Sequence, residues 1–594
     1  MIKIWPLDEA LAGIALALMA LIPILEIVSR PLLGKGVENA PVLVQHLGLV
    51  MAMWGALAAE RHGHLTSLGA VFQGFNAWAQ AAASLVCGVL VWASWQLVAS
   101  EREGAQTLAY GLPMWWVQLA MPVGFALLGF KLAARCVPQL WGKLFLGILL
   151  PVLGFSLGAM GDGEVLALWP MLLGLALMLL CGAPIFAVLG GLALALFWQE
   201  GLPLASIALS HYQITVNPSL PALPLFTLAG LVFARTGAAQ RLGAVFLAMF
   251  GHGAAGSVVA ATVLCSVFTA FTGGSGVTIL ALGGLLLPLL RNAGYPEKKG
   301  ISLVTSASAL GVLLAPSVPL IMYAIIARVP INTMFLAGLI PAVVMVGCLL
   351  LFGGYLRVPT AATSAQTASA SLSLKDAVWQ AKWEILAPVV AIGSLISGLA
   401  TPTESAALTA VYAVLTQAFA HGELTTRLLA QCLSTCAQII GGVMLILGMA
   451  LGLTNFLVDA GVPDLAIDWV QGITSNKWVF LLALNVFLFF AGALMEIYAA
   501  IVVLVPLLLP LAVSYGIDPI HFGIIFLANM EMGFLCPPAG MNIYFASAVF
   551  EKSLREVALS VLPALVAIFV GTVLISWLPL VATGLPALVA AGWR

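Results

Sequence analysis

GGSGVTILALGGLLLPLLRNAGYP (273–296) followed by LGVLLAPSVPLIMY (310–323) has a second version further along the chain: ALMEIYAAIVVLVPLLLPLAVSYGIDP (493–519) followed by MGFLCPPAGMNIY (532–544). The landmarks keep their spacing. Pro288 lies 6 residues before Gly294 and Pro510 lies 6 before Gly516, while Gly311 and Gly533 lie 5 before Pro316 and Pro538. An earlier pair matches as well, GAPIFAVLGG around Pro184 with TPTESAALTA around Pro402. The offsets barely drift: 402 − 184 = 218, 510 − 288 = 222 and 538 − 316 = 222. A hydrophobic pattern broken by Gly and Pro and written twice in one chain points to a secondary transporter with its site between the repeats.

Composition agrees. Of 594 residues, 62% are hydrophobic and 8% charged, against roughly 25% charged in a globular chain, and the mean hydropathy is +1.13. So few charges cannot cover a water-facing surface, which excludes a soluble fold. Apolar runs near the ~20 residues needed to cross a bilayer recur throughout, giving about 15 or 16 spanning or re-entrant segments. A net charge of −1 offers nothing to nucleic acid. The eight cysteines form no CxxC or Cys/His cluster, which argues against metal and disulfide roles; Cys432 and Cys436 are spaced as a thiol pair on one helix face. The N-terminal MIKIWPLDEALAGIALALMALIPILEIV has a hydrophobic region too long for a signal peptide and reads as an uncleaved first helix.

Residues 1–140 form a section apart, with spans predicted at about 8–29, 42–59, 83–100 and 114–134. With the N-terminus cytoplasmic, Lys3, Arg61, Lys131, Arg135 and Lys143 lie inside and Arg30, Lys35 and Arg102 outside, a modest positive-inside bias. HLTSLGAVFQGFNAWAQ (64–80) is amphipathic and suits a helix lying in the interface. Lacking broken helices, this section reads as a scaffold. Residues 141–164 hold one connecting span. The large section, 165–594, divides into repeat one (about 165–358), a polar cytoplasmic linker (about 359–384) and repeat two (about 385–594). Opposite orientation of the two repeats is the expected arrangement.

Each repeat has two places where a helix cannot continue: Thr272-Gly273-Gly274-Ser275-Gly276 and Ala315-Pro316-Ser317-Val318-Pro319 in the first, the Glu496 region and Cys536-Pro537-Pro538-Ala539-Gly540 in the second. Proline removes an amide donor and glycine permits left-handed backbone. In hydrocarbon, irregular backbone survives only where protein or a watery cavity satisfies it. Carbonyls and hydroxyls bared at such breaks are hard oxygen ligands suited to Na⁺, and the resuming helix N-termini suit an anion. Three carboxylates, Glu404, Glu496 and Glu531, stand in apolar stretches, where each costs roughly 2.5–3.5 kcal/mol. Their counterparts in repeat one are uncharged: Phe186 (404 − 218), about Ser275 (496 − 221) and Ala309 (531 − 222). Cation coordination is one reading. A hydrogen-bonded acid near a helix end is the other, and Glu404, in Thr401-Pro402-Thr403-Glu404, is placed to cap a helix. Arg235, Arg241 and Arg328 follow apolar runs, where they serve either as positive-inside loop residues or as a counter-charge for a substrate carboxylate. No phosphate-binding loop is present, so ATP does not drive this chain directly.

With LPALPLFTLAG (220–230), FTGGSGVT (271–278), GVLLAPSVPLIMY (311–323), TPTESAA (401–407), GIDPIHFGII (516–525) and CPPAGMN (536–542) in view, the chain resembles the membrane component of a tripartite ATP-independent periplasmic (TRAP) transporter. The small and large subunits are fused in that reading. The resemblance implies an all-α polytopic bacterial inner-membrane protein, a four-helix scaffold section plus an inverted-repeat, elevator-type section with broken helices and re-entrant hairpins. It implies no enzymatic activity, co-transported Na⁺, a periplasmic substrate-binding protein as partner, and an organic acid anion such as a sialic acid or C4-dicarboxylate as cargo; membrane lipid surrounds the chain. By position, Thr272, Gly274, Ser275, Thr278, Ser317, Pro538, Gly540 and Asn542 would line the substrate. Gly273, Ser275, Gly276, Gly311, Pro316, Thr401, Thr403, Glu404, Glu496, Cys536 and Pro537 would line Na⁺. Family members commonly carry Gly-Ser-Ser where this chain has Gly274-Ser275-Gly276, and a threonine where it has Cys536. A stand-alone Na⁺/dicarboxylate carrier is the nearest alternative, and a channel or intramembrane enzyme the more distant one.

Overall fold

The computed structural model describes residues 6–65, 75–162, 164–165, 167–251, 253–357, 373–537 and 540–592. Among them regular structure is helical, apart from one isolated bridge between Thr107 and Pro113. Among the described residues thirteen helices are long and apolar enough to cross a membrane; counting the pair Ala222–Ala234 and Ala238–Phe250, bent by 75°, as one more span gives 14. Four shorter apolar helices, Leu168–Leu180, Ile185–Gln199, Met541–Phe550 and Pro579–Ala591, add to these. The 15 or 16 spanning or re-entrant segments read from the sequence exceed the 13 or 14 helices that pass as spans, and the shorter apolar helices account for the difference.

Two compact units form. One comprises Met1–Pro224 with Ala430–Leu465, the other Leu225–Leu429 with Ala466–Arg594. In the first, the helices Leu7–Arg30, Ala40–His62, Asn76–Gly104 and Met114–Ala134 fall on the four predicted spans, and Leu140–Gly161 is the predicted fifth. Its buried carboxylates are paired. Asp8 lies 2.8 Å from both Arg61 and Lys131, Glu60 2.6 Å from Arg135, and Glu9 2.9 Å from His62 and 2.7 Å from the Ser434 hydroxyl. The acids Asp8 and Glu9 occupy the first turn of their helix, while Arg61 and Lys131 occupy the last turns of theirs. Each charge therefore also meets the favourable end of a helix dipole. Of the stretch 64–80, residues 66–74 lie outside the described residues, and Asn76–Gln80 is not a separate interfacial helix but the first turns of Asn76–Gly104.

The duplication read from the sequence is present in the second unit, helix by helix. Ser275–Asn292, Glu297–Ala307, Val318–Ile326 and Ile331–Phe352 are repeated as Ile497–Ser514, Pro519–Gly533, Met541–Phe550 and Leu554–Trp577. Their starts differ by 497 − 275 = 222, 519 − 297 = 222, 541 − 318 = 223 and 554 − 331 = 223. The copies interlock through one apolar cluster: Ile279, Leu287 and Ile301 from the first pack with Ile543, Ala546, Val557 and Val561 from the second. Part of the supposed linker is structured. Residues 359–372 lie outside the described residues, but Leu374–Gln380 is helical and Lys382–Ile396 follows. Ala377 and Ala381 bury against Val245, so this segment's small apolar face finds a surface that its polar composition conceals.

The first copy's second break is a tight turn, a 3₁₀ segment Leu310–Leu313 between two α-helices. It lies so close to Ala254–Thr272 that a methyl group at Gly311 would overlap the Ser266 carbonyl and the Thr269 side chain. Gly347, inside Ile331–Phe352, has nothing within 4 Å of a β-carbon. Gly311→Ala is therefore expected to destabilise the detergent-solubilised protein by about 1–3 kcal/mol, and Gly347→Ala to leave it unchanged or stabilise it by up to about 1 kcal/mol. Thermal unfolding of the two variants checks this; equal midpoints would contradict the close-packing account.

Candidate transport site

Ala254–Thr272 stops because Gly273 turns left-handed, with φ 71°, and its amide closes the last turn on the Thr269 carbonyl at 2.9 Å. Gly274 is extended and Ser275 begins the next helix. The Gly273 carbonyl, turned out of both helices, accepts a 2.8 Å bond from the hydroxyl of Tyr498. Tyr498 stands in the first turn of Ile497–Ser514, two residues past Glu496, so each copy's first break touches the other. In the folded chain Glu496 and Gly274 both immediately precede a resuming helix. The counterpart of Glu496 is thus Gly274, one residue from the sequence alignment's Ser275.

Three threonine hydroxyls gather behind the first break. Thr278 Oγ1 lies 2.7 Å from Thr269 Oγ1 and 3.1 Å from Thr272 Oγ1, and Thr269 Oγ1 is 2.9 Å from the Ser308 carbonyl. All three are buried. Ser275 donates to Asn542 Oδ1 at 2.6 Å, and the Asn542 amide donates to the Thr305 carbonyl at 3.3 Å. Asn542 is the second residue of Met541–Phe550, the helix after the second copy's second break, where the Gly540 amide closes on the Cys536 carbonyl at 2.7 Å. Pro538 lies outside the described residues. Three of the four breaks are thereby linked by hydrogen bonds through Gly273, Tyr498, Ser275 and Asn542.

The fourth, at Pro316, is closed on itself. Ser317 spends its hydroxyl on the Val312 carbonyl and accepts from the Leu320 amide at 3.4 Å, capping Val318–Ile326. It stiffens the turn at Pro316, and its hydroxyl is already bonded within the break. Facing the same turn is Glu531, fully buried, close enough to feel the amides of Val312 and Leu313 but without a hydrogen bond to either carboxylate oxygen. Glu496 likewise has a buried oxygen with no hydrogen-bond partner. Buried carboxylates are seldom left so.

Other predicted residues lie apart from this cluster of bonds. Thr401 and Glu404 form a capping box: the Thr401 amide and hydroxyl both donate to Glu404 Oε2 at 2.8 Å, and the Glu404 amide returns to Thr401 Oγ1 at 3.3 Å. Thr403 follows Pro402 in that helix's first turn, and Gly276 begins packing under the Phe545 ring. Arg241 is also occupied. It bonds Glu384 at 2.8 Å, Glu423 at 2.6 Å and Gln417 at 2.8 Å, whereas Arg328 is exposed at a turn with φ 55°. Sequence reading missed Thr269 and Tyr498. Their signal was a hydroxyl one turn away from each break, on the helix face toward it.

Duplicated, mutually bonded helix breaks inside an apolar helical chain define a transporter permease. Residues 172–581 match the model of the tripartite ATP-independent periplasmic transporter DctM component, and residues 19–142 that of the DctQ component. The chain belongs to this family and carries both membrane components in one polypeptide. It is 31% identical over 501 residues to the isethionate TRAP transporter permease DctMQ of Oleidesulfovibrio alaskensis, covering 83% of this chain and 78% of that one. It is also 31% identical over 433 residues to the C4-dicarboxylate large permease DctM of Rhodobacter capsulatus (69% of this chain, 97% of the relative). The sialic acid large permease SiaM of Vibrio cholerae is 31% identical over 385 residues (63% and 87%).

The Arg241 cluster sets a pH dependence. Burial alone would raise the Glu423 carboxyl, but the Arg241 guanidinium and the Gly237 amide outweigh it and hold it below the ordinary glutamate value. A depressed carboxylate stabilises the fold above its unfolded pKa and loses that contribution as pH falls through the folded one. Glu423→Gln should therefore unfold at a lower temperature than wild type at pH 7. The gap should persist down to about pH 4.5, the ordinary glutamate value, and close below it. A gap that is the same at every pH would remove the ion pair as its cause.

Proposed function

We propose that this chain imports an organic acid anion together with Na⁺, the anion being handed over by a periplasmic substrate-binding protein. The observation that carries the reading is the pair of carboxylates beside helix breaks: half-buried Glu496, with one buried oxygen lacking a hydrogen-bond partner, and fully buried Glu531, with two, neither paired with a basic side chain among the described residues. A cation compensates such a group where the protein does not. Hard oxygen donors stand nearby in kind: the hydroxyls of Thr269, Thr272, Ser275 and Thr278 and the carbonyls of Gly273 and Gly274. Na⁺ would take sites among Gly273, Ser275, Gly276, Gly311 and Pro316 at one pair of breaks and Glu496, Cys536 and Pro537 at the other. Thr401 and Glu404 serve the cap of their helix and drop out of the proposed cation shell, while Thr403 is kept as a candidate.

The N-terminal ends of Ser275–Asn292, Val318–Ile326, Ile497–Ser514 and Met541–Phe550 all begin at breaks, and helix N-termini favour anions. They supply the substrate's counter-charge that Arg241 does not. The named relatives carry isethionate, C4-dicarboxylates and sialic acid, all organic acids, which supports an organic acid here. The interlocked apolar cluster of the two copies supports movement of the breaks as one body, an elevator in which inverted copies expose the site to either side in turn. Residues 1–140 would brace that movement, with the N-terminus in the cytoplasm.

Purified protein in proteoliposomes, offered a mixed organic-acid pool, tests the proposal with and without an inward Na⁺ gradient and with and without the binding protein encoded beside its gene. Uptake is expected only when both are present. Uptake with the gradient alone would make this a stand-alone carrier, and uptake indifferent to Na⁺ would overturn the coupling. In the same assay Ser275→Ala and Glu496→Gln are each expected to raise the Na⁺ concentration for half-maximal uptake about tenfold, the size of one lost charge-assisted contact, while remaining folded. Unchanged Na⁺ activation in both variants would remove the cation assignment.

A further inference from the structure

A cleft of about 620 Å³ opens in the four-span section. The start of Asn76–Gly104 forms one wall, and the end of Ala120–Ala134 with the turn into Leu140–Gly161 forms the other. Its base is apolar, with Ala77, Ala134, Val137 and Pro138, and its polar groups are Asn76, Gln80, Arg135 and Lys143. Among the described residues no carboxylate lines it. Lys143 has no ion pair or side-chain hydrogen bond among the described residues, and Gln80 Oε1 is buried without a partner. Arg135 is held from behind by Glu60 at 2.6 Å and is still nearly half exposed. The charge left over is positive.

Lys143 stands in the first turn of Leu140–Gly161, a helix with mean hydropathy 2.0 whose apolar side chains Trp141, Phe145, Ile148 and Val152 are exposed. The cationic mouth therefore runs directly onto an uncovered apolar helix face. That juxtaposition, headgroup-sized and positive at one end and hydrocarbon-like along the other, matches a diacyl lipid with an anionic phosphate. We propose that this cleft is a binding site for one anionic phospholipid, its phosphate between Lys143 and Arg135 and its acyl chains along Leu140–Gly161. Free phosphate shares the headgroup chemistry but has no use for the apolar face, which commits the site to the lipid. The positive-inside placement of Arg135 and Lys143 puts it in the cytoplasmic leaflet, where anionic lipids concentrate basic segments.

Native mass spectrometry of the purified full chain, titrated with phosphatidylglycerol, phosphatidylcholine or inorganic phosphate, tests the site. Wild type should retain phosphatidylglycerol in preference to phosphatidylcholine. Lys143→Ala should weaken phosphatidylglycerol binding about fivefold, the value of one basic residue at a lipid surface, while Lys143→Arg keeps it. Gln80→Leu offers a second variant, expected to weaken the same adduct without touching the charge. Equal retention of both lipids by wild type, or full retention by Lys143→Ala and Gln80→Leu, would overturn the proposal. Displacement of phosphatidylglycerol by millimolar inorganic phosphate would also overturn it, by assigning the cleft to a soluble phosphate.

Discussion

A backbone that stops being helical inside hydrocarbon must find new partners, and this requirement organises the second unit. An unsatisfied peptide group costs roughly 2–7 kcal/mol away from water, comparable to a whole domain's net stability of about 5–15 kcal/mol. At and beside the breaks of the first copy, side chains take up carbonyls that the helices leave. Tyr498 serves the Gly273 carbonyl, Thr269 the Ser308 carbonyl, Ser317 the Val312 carbonyl and Asn542 the Thr305 carbonyl. Two of these four partners come from the opposite copy. Duplication is thus more than a route to two similar halves, because the second half holds polar side chains that bond the first half's backbone at and beside its breaks.

The copies are alike in backbone and unlike in charge. Where the second has Glu496 and Glu531, the first has Gly274 and Ala309 at matching places. Neither carboxylate is neutralised by a basic side chain of the protein, in contrast to Asp8, Glu60 and Glu384, which all have cationic partners. Buried acids in structural roles are paired here as a rule. Among the described residues Glu531 is the exception, and half-buried Glu496 joins it beside a break, where a transported cation would supply the missing charge.

The repeat, the breaks and the four leading spans were legible because hydrophobicity, glycine and proline act locally and at fixed spacing. Partner choice was not. Ser275 and Asn542 are 267 residues apart and meet at 2.6 Å, a pairing that local periodicity cannot encode. Glu404 illustrates the opposite difficulty: T-P-T-E reads equally as a capping box and as a carboxylate at a break, and only the observed bonds to Thr401 decide for the cap. Ala377 and Ala381 escaped notice because two small residues in a polar stretch become an apolar face only once Val245 is placed against them.

The central claim is that breaks from both copies form one site rather than two independent ones, with Ser275 and Asn542 as the link. A double-mutant cycle on Ser275→Ala and Asn542→Ala, read as the Na⁺ concentration for half-maximal uptake in proteoliposomes, measures that link directly. Residues in contact couple by about 0.5–3 kcal/mol, so the double variant should be little worse than the more impaired single one. Strict additivity of the two effects would show that the breaks act separately, and the single-site account would fall.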